Sequence, residues 1–281
     1  MKNLISISAA PLARLINKEY FDLDAIMQIM NKLWKENVID GFEFQQLAEW
    51  NYLHPPKDHD PSRDRDDAWK LSKKYDVEEL AHLLQKSNVP ILSIHANRDV
   101  GVLLCSEDQK DVEEGMELIR EAIMLSNKIG SRLCVFHLWD TWKADLNVDK
   151  LLEIIAEMQR ESYAMPLTIE NMPTHVPENT AFDLVKNFQW ITLDLRWAAI
   201  YDELNNFKVL KNKILNVHVR GVLEDAEWIL KDTPFDIHDA LDTILNEWDY
   251  QGILTLEPEG WLLNASIENL VSAINSLKKT H

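Results

Sequence analysis

Cysteine is scarce in this chain, with two in 281 residues, Cys105 and Cys134. Neither sits in a C-x-x-C pair or a zinc-finger spacing, so a cysteine-built metal knuckle is not expected. A reduced, cytoplasmic protein is the simplest reading. Glycine is also scarce, with seven. No Gly-rich turn follows the first apolar run, which speaks against a doubly wound nucleotide-binding sheet. No Gly-rich loop is present to cradle a phosphate either. No apolar run approaches the roughly 20 residues that a membrane span needs. The N-terminal "MKNLISISAAPLA" shares a lysine, a short apolar run and small residues with signal peptides. It reads better as a first β-strand. Positive charge is in short supply: 29 Lys and Arg stand against 47 Asp and Glu, for a net charge of -18. There is no Lys/Arg-rich run. A nucleic-acid backbone would be repelled by such a surface, so neither nucleic acid nor membrane is an expected partner.

What is present is the material of a large folded domain, 46% hydrophobic and 27% charged, unlike a disordered chain. Eight short runs rich in β-branched residues read as strands: 3–9, 40–45, 90–96, 132–138, 166–172, 190–197, 214–221 and 252–260. Long amphipathic stretches lie between them. One, 22–37, opens at an Asp cap. Another, 107–130, begins acidic and ends at Lys128 and Gly130, as the helix dipole and a C-cap favour. Strand alternating with helix about eight times, with no linker, predicts a single-domain (β/α)8 TIM barrel over 1–281. The segment 49–76 has no clean period. It reads as a long, mostly solvated loop with a short helix after the second strand.

Four strands end alike: "LTIE" at Glu170, "ITLD" at Asp194, "LNVH" at His218 and "LTLE" at Glu257. Side chains two apart share a face of a strand. Glu170 therefore lies with Thr168, Asp194 with Thr192, His218 with Asn216 and Glu257 with Thr255. The opposite faces carry Leu, Ile and Val and pack on helices. Four consecutive strands thus turn Glu, Asp, His and Glu inward at the barrel mouth, above a layer of Thr, Thr, Asn and Thr. Three carboxylates held together raise one another's pKa values unless a cation intervenes. Oxygen-rich ligation with one imidazole suits Mn²⁺, Mg²⁺, Co²⁺ or Zn²⁺. The alternative for each residue alone is a solvated strand end or helix cap. Glu259, just beyond Glu257, reads as solvated or paired at the rim.

The motifs "IENM", "LDL", "HVRG" and "LEPEG" resemble the xylose isomerase-like TIM-barrel superfamily, which includes sugar isomerases and epimerases and the endonuclease IV group. The resemblance implies that Glu170, Asp194, His218 and Glu257 hold one divalent metal. It also implies that Glu170 and Glu257 are acid–base groups on opposite faces of a sugar or polyol. The implied activity is a metal-dependent isomerase or epimerase. It would move a proton next to a carbonyl through a metal-stabilised enediolate. The alternatives are an endonuclease IV-like phosphodiesterase and a non-catalytic sugar- or metal-binding barrel. His95 and His137 also end strands. They resemble the positions that bind an additional metal in the endonuclease group, but they read better as hydrogen-bonded pocket histidines, available to a second metal or to substrate. Where both the endonucleases and the ketose epimerases carry a further histidine, this chain has Trp197. Asp236 and His238 mimic an Asp-x-His pair but read better as a helix start. Trp139, Trp142, Trp197 and Trp261 follow strand ends and would suit the apolar faces of a sugar. Arg98, Arg196 and Arg220 stand at the same end, for an anionic group or for pairing with carboxylates, and Arg220 is the candidate substrate contact among them. A homo-oligomer is compatible with this reading.

Overall fold

The strands form where the apolar runs end in turn residues, and all eight expected strands are present. The computed structural model describes residues 3–56, 67–231, 233–262 and 265–280. They are β1 (Leu4–Ile7), β2 (Phe42–Gln45), β3 (Ile91–His95), β4 (Leu133–Phe136), β5 (Leu167–Glu170), β6 (Ile191–Asp194), β7 (Ile214–Glu224) and, after a short β8 (Glu227–Ile229), β9 (Ile253–Pro258). The sheet order is β1-β9-β7-β6-β5-β4-β3-β2, with every neighbouring pair parallel. A single parallel bridge, Ser8 to Glu43, brings the end of β1 beside β2 and nearly closes the ring. This is the (β/α)8 barrel that the alternation predicts.

The helices start and stop where the sequence signals place them. Helix α1 (Leu23–Lys35) is capped by the Asp22 side chain, which accepts from Ala25 N at 3.0 Å. Its Leu23, Ile26, Ile29, Met30 and Leu33 are buried on one face, at the spacing of a helical stripe. Helix α2 (Val77–Ser87) opens with a reciprocal Asp76–Glu79 capping box. The short α3 (Val100–Leu104) precedes α4 (Gln109–Ile129). The long α4 ends at Gly130, whose φ of 74° is the left-handed cap that glycine adopts without cost. Helices α5 (Val148–Glu161), α6 (Ala181–Val185), α7 (Leu195–Ile200), α8 (Ile237–Asp242) and α9 (Ile267–Thr280) complete the outer layer. No helix among the described residues is long and apolar enough to cross a membrane.

One difference from the expected elements has a local cause. Strand β7 runs past Gly221 to Glu224 and folds back on β8, with Glu224 opposite Glu227 across Asp225 and Ala226. Asp225 takes the positive φ of 50° that this two-residue turn demands. After β2, 3₁₀ turns stand at Ala48–Trp50 and Asp67–Leu71, in keeping with the short helix expected in the long loop 49–76. Its central part, 57–66, lies outside the described residues.

Alternation along the strands builds two environments. Cys134, Phe136, Ile169, Leu193 and Val217 join the main core against the helices. Thr168, Thr192, Asn216 and Thr255 are fully buried on the other face. There they satisfy one another: Thr168 Oγ1 lies 2.7 Å from Thr192 Oγ1, and Thr255 donates to Asn216 Oδ1 at 2.9 Å. A polar layer of this kind is tolerable only because its groups are paired. It forms the floor on which the strand-end residues stand.

Candidate metal centre at the barrel mouth

Strand register gives Glu170 the place beside Thr192, Asp194 the place beside His218, and Glu257 the place beside Arg220. Along the hydrogen-bond ladder the four residues are therefore staggered. The tilt of strands in a closed barrel turns that stagger into a shared level around the axis. One ligand atom from each of Glu170, Asp194, His218 and Glu257 lies within 4.8 Å of the others. Donors on opposite sides of one cation at ~2.2 Å would be about 4.4 Å apart. A second group, His95, His137 and Glu170, meets the same criterion and shares the glutamate.

Glu170 is enclosed. Its Oε2 is approached by His137 Nε2 at 3.1 Å, His218 Nδ1 at 3.3 Å and His95 Nε2 at 3.4 Å. Its Oε1 accepts the Trp197 indole N–H at 3.2 Å. Burial alone would raise this carboxyl; the charges of His137 and His218, with the His137 hydrogen bond, outweigh it and hold Glu170 well below the ordinary range. Glu257 is treated similarly. Burial raises it, but Arg220 and His218 bring it down to about 2. Asp194 fares differently. Burial pushes it up to about 7, with Glu170 and Glu257 adding to the rise and Arg220 opposing it. One Asp194 oxygen caps α7, accepting from Arg196 N at 2.7 Å and Trp197 N at 3.1 Å. The other accepts from Arg220 Nε at 2.8 Å. Arg220 also donates from Nη2 to Glu257 Oε1 at 2.8 Å, and its guanidinium lies 4.7 Å from the centre of the Trp197 ring. Three buried carboxylates thus share Arg220 and the histidines.

The donor set fits a divalent cation. His218 Nδ1 and Glu257 Oε2 are buried without a hydrogen-bond partner and lie 3.0 Å apart. His95 Nδ1 faces the Ala96 carbonyl at 3.1 Å. Burial would lower the pKa of His95, but its hydrogen bond to Glu170 and the charges of Glu43 and Glu170 raise it. Mixed imidazole and carboxylate ligands of this kind suit Mn²⁺, Co²⁺ or Zn²⁺, and Mg²⁺ less well.

Two contributors escape a reading confined to strand ends. Glu43 on β2 is fully buried and bonded to His218 Nε2 at 3.2 Å. Its signal was the same alternation, a carboxylate between Phe42 and Phe44 on a buried strand. Asn171 clamps the end of β6, accepting from Asp194 N at 2.6 Å and donating to Asp194 O at 3.1 Å.

The aromatic and basic residues at this end are placed unequally. Trp197 reaches the cluster. Trp139 is 2% exposed and donates its indole N–H to Pro173 O at 3.1 Å, so little of its ring faces outward. Its backbone is pressed against Gly101, where an added Cβ would stand 2.6 Å from Trp139 O. Trp142 is 72% exposed and stacks on His175 at the rim. Trp261 lies on the turn Glu259–Leu262, and its side chain is outside the described residues. Arg98 forms a bidentate pair with buried Glu49, at 2.7 and 3.0 Å. Arg196 pairs with Glu259 at 3.5 Å, the rim pairing expected of that glutamate. Asp236 caps α8 by accepting from His238 N at 2.7 Å, so this pair is a helix start, as its pattern indicates.

Known structures share this architecture. A D-tagatose 3-epimerase-like protein is 19% identical, with a TM-score of 0.63 over 99% of this chain and 96% of its own. The D-allulose 3-epimerase of Methylomonas sp. is 13% identical, with a TM-score of 0.65 over 100% and 98%. The D-psicose 3-epimerase of Clostridium cellulolyticum H10 is 14% identical, with a TM-score of 0.63 over 99% and 98%. Identities this low establish a common fold and no more. No curated protein matches the chain by sequence. The family model of the xylose isomerase-like TIM barrel matches residues 40–280, a span that holds every residue of the cluster, and the chain belongs to that family.

Proposed function

We propose that this protein is a divalent-metal-dependent isomerase or epimerase of a sugar or related polyol. The observation that carries the metal half is the convergence of Glu170, Asp194, His218 and Glu257, with His218 Nδ1 and Glu257 Oε2 buried 3.0 Å apart and without a hydrogen-bond partner. The sugar half is supported by the likeness to ketose 3-epimerases. Glu170, Asp194, His218 and Glu257 would hold the cation, which supplies Lewis-acid polarisation of a carbonyl. Glu170 and Glu257 would exchange the proton on the neighbouring carbon. Arg220 holds one oxygen of Glu257 and leaves the other toward the site. Trp197 and the histidines fix Glu170, so neither carboxylate has to be reoriented before it acts.

The test is solvent exchange. The protein loaded with Mn²⁺ or Co²⁺ is incubated with free ketoses and aldoses in D₂O and followed by NMR. Deuterium is expected at the carbon next to the carbonyl of a sugar that is interconverted. No exchange and no conversion of any sugar, at full metal occupancy, would contradict the proposal.

The His95–His137–Glu170 group favours a second reading, since a cation there beside the first would suit phosphodiester hydrolysis. The charge of -18 and the indole of Trp197 in place of a ligating histidine weigh against it. Binding and incision assays on abasic duplex DNA at physiological salt are expected to be negative. Metal-dependent incision abolished by Glu170→Gln would reverse the order of the two readings.

A further inference from the structure

We infer that Glu43 is a positioning residue that holds His218 by Nε2 and so presents Nδ1 to the cation; this rests on the metal reading above. Glu43 Oε2 receives three groups: Ser93 Oγ at 2.8 Å, Asn216 Nδ2 at 3.2 Å and His218 Nε2 at 3.2 Å. Its Oε1 takes the Ser8 hydroxyl at 3.4 Å. On its far side the Asn216 amide meets Thr255 Oγ1, 2.9 Å from its Oδ1, and its NH₂ faces Glu43. An acceptor surrounded by donors is a carboxylate, and a carboxylate obliges His218 to donate from Nε2. The other ring nitrogen is then the one left facing Glu257 Oε2 at 3.0 Å and Glu170 Oε2 at 3.3 Å. Ser8, just past β1, and strands β3 and β7 all supply partners, so Glu43 ties the imidazole to the barrel wall. A carboxylate behind a ligating histidine fixes its tautomer and ring orientation and raises its basicity as a ligand. Losing such a partner usually costs 10–100-fold in metal affinity.

The bland alternative is that Glu43 merely fills the polar interior of the barrel, like the Thr168–Thr192 pair. Titration of chelator-stripped protein with Co²⁺ separates the two. Glu43→Gln is expected to weaken binding about 10–100-fold. Thr168→Val, which breaks a buried hydrogen bond of the same layer without touching His218, is expected to leave the affinity within about twofold of wild type. Equal, small effects of the two substitutions would overturn the positioning role while leaving the metal reading intact. Failure of the wild type to bind Co²⁺ would instead remove the metal reading and this inference with it. Wild-type protein provides a second readout that needs no variant. With Zn²⁺ bound, ¹⁵N NMR of the histidines should show His218 metallated at Nδ1, with an exchange-protected proton on Nε2. Metallation at Nε2 would overturn the inference even if Glu43→Gln does not fold.

Discussion

Glu170→Gln and Glu257→Gln are each expected to lower turnover by about 10²–10⁴ at full metal occupancy, the usual contribution of a positioned acid–base group. Gln keeps the size and one oxygen ligand of Glu but loses the charge and the basic site. Both variants should fold, because the carboxylates stand above the core and contribute nothing to its apolar packing. Some metal loss is expected, so kcat must be measured at saturating Mn²⁺ or Co²⁺ with occupancy determined on the same samples. The isotope experiment sharpens the result: deuterium incorporation should fall in parallel with turnover. Near-normal turnover in either metal-loaded variant would remove that glutamate as an essential proton carrier. Conversion of a sugar by the wild type with no solvent exchange would point to a hydride shift instead.

The second large effect concerns Arg220 and stability rather than turnover. Its guanidinium bonds Asp194 Oδ2 and Glu257 Oε1, each at 2.8 Å, within a buried cluster. Removing one partner of a buried ion pair leaves an uncompensated charge, which typically costs 3–5 kcal/mol. Arg220→Ala is therefore expected to lose about that much in the presence of a chelator, measured by urea denaturation. Added Mn²⁺ should restore more stability to the variant than it adds to the wild type, since it meets the same unpaired carboxylates. A loss below about 1 kcal/mol with chelator present would mean that water or protonation already compensates the cluster.

Much of the barrel and the site was legible because strand alternation has a period of two. "LTIE", "ITLD", "LNVH" and "LTLE" each fix which residues share a face, whatever the neighbouring strands do. That sufficed to bring Glu170, Asp194, His218 and Glu257 together. What needed closure of the ring was not legible. Glu43 meets His218 across 175 positions of sequence, and its partnership exists only once β2 and β7 face each other across the barrel. The stagger of the four strand ends also follows from register and tilt, which no single strand encodes. The tryptophans illustrate a further limit. Trp139 and Trp142 both follow β4, yet one is tied to Pro173 and buried while the other stands at the rim. Position after a strand end does not settle which way a loop turns its rings. After a strand end an arginine suits an anionic group or a carboxylate partner alike, and Arg98, Arg196 and Arg220 all pair with carboxylates.

The most direct test of the account is an anomalous difference map from crystals of the protein grown with Mn²⁺. The account predicts a peak at the barrel mouth within about 2.0–2.6 Å of ligand atoms from Glu170, Asp194, His218 and Glu257, with His218 coordinating through Nδ1. A map with no peak there, and with Arg220 still bridging Asp194 and Glu257, would contradict it.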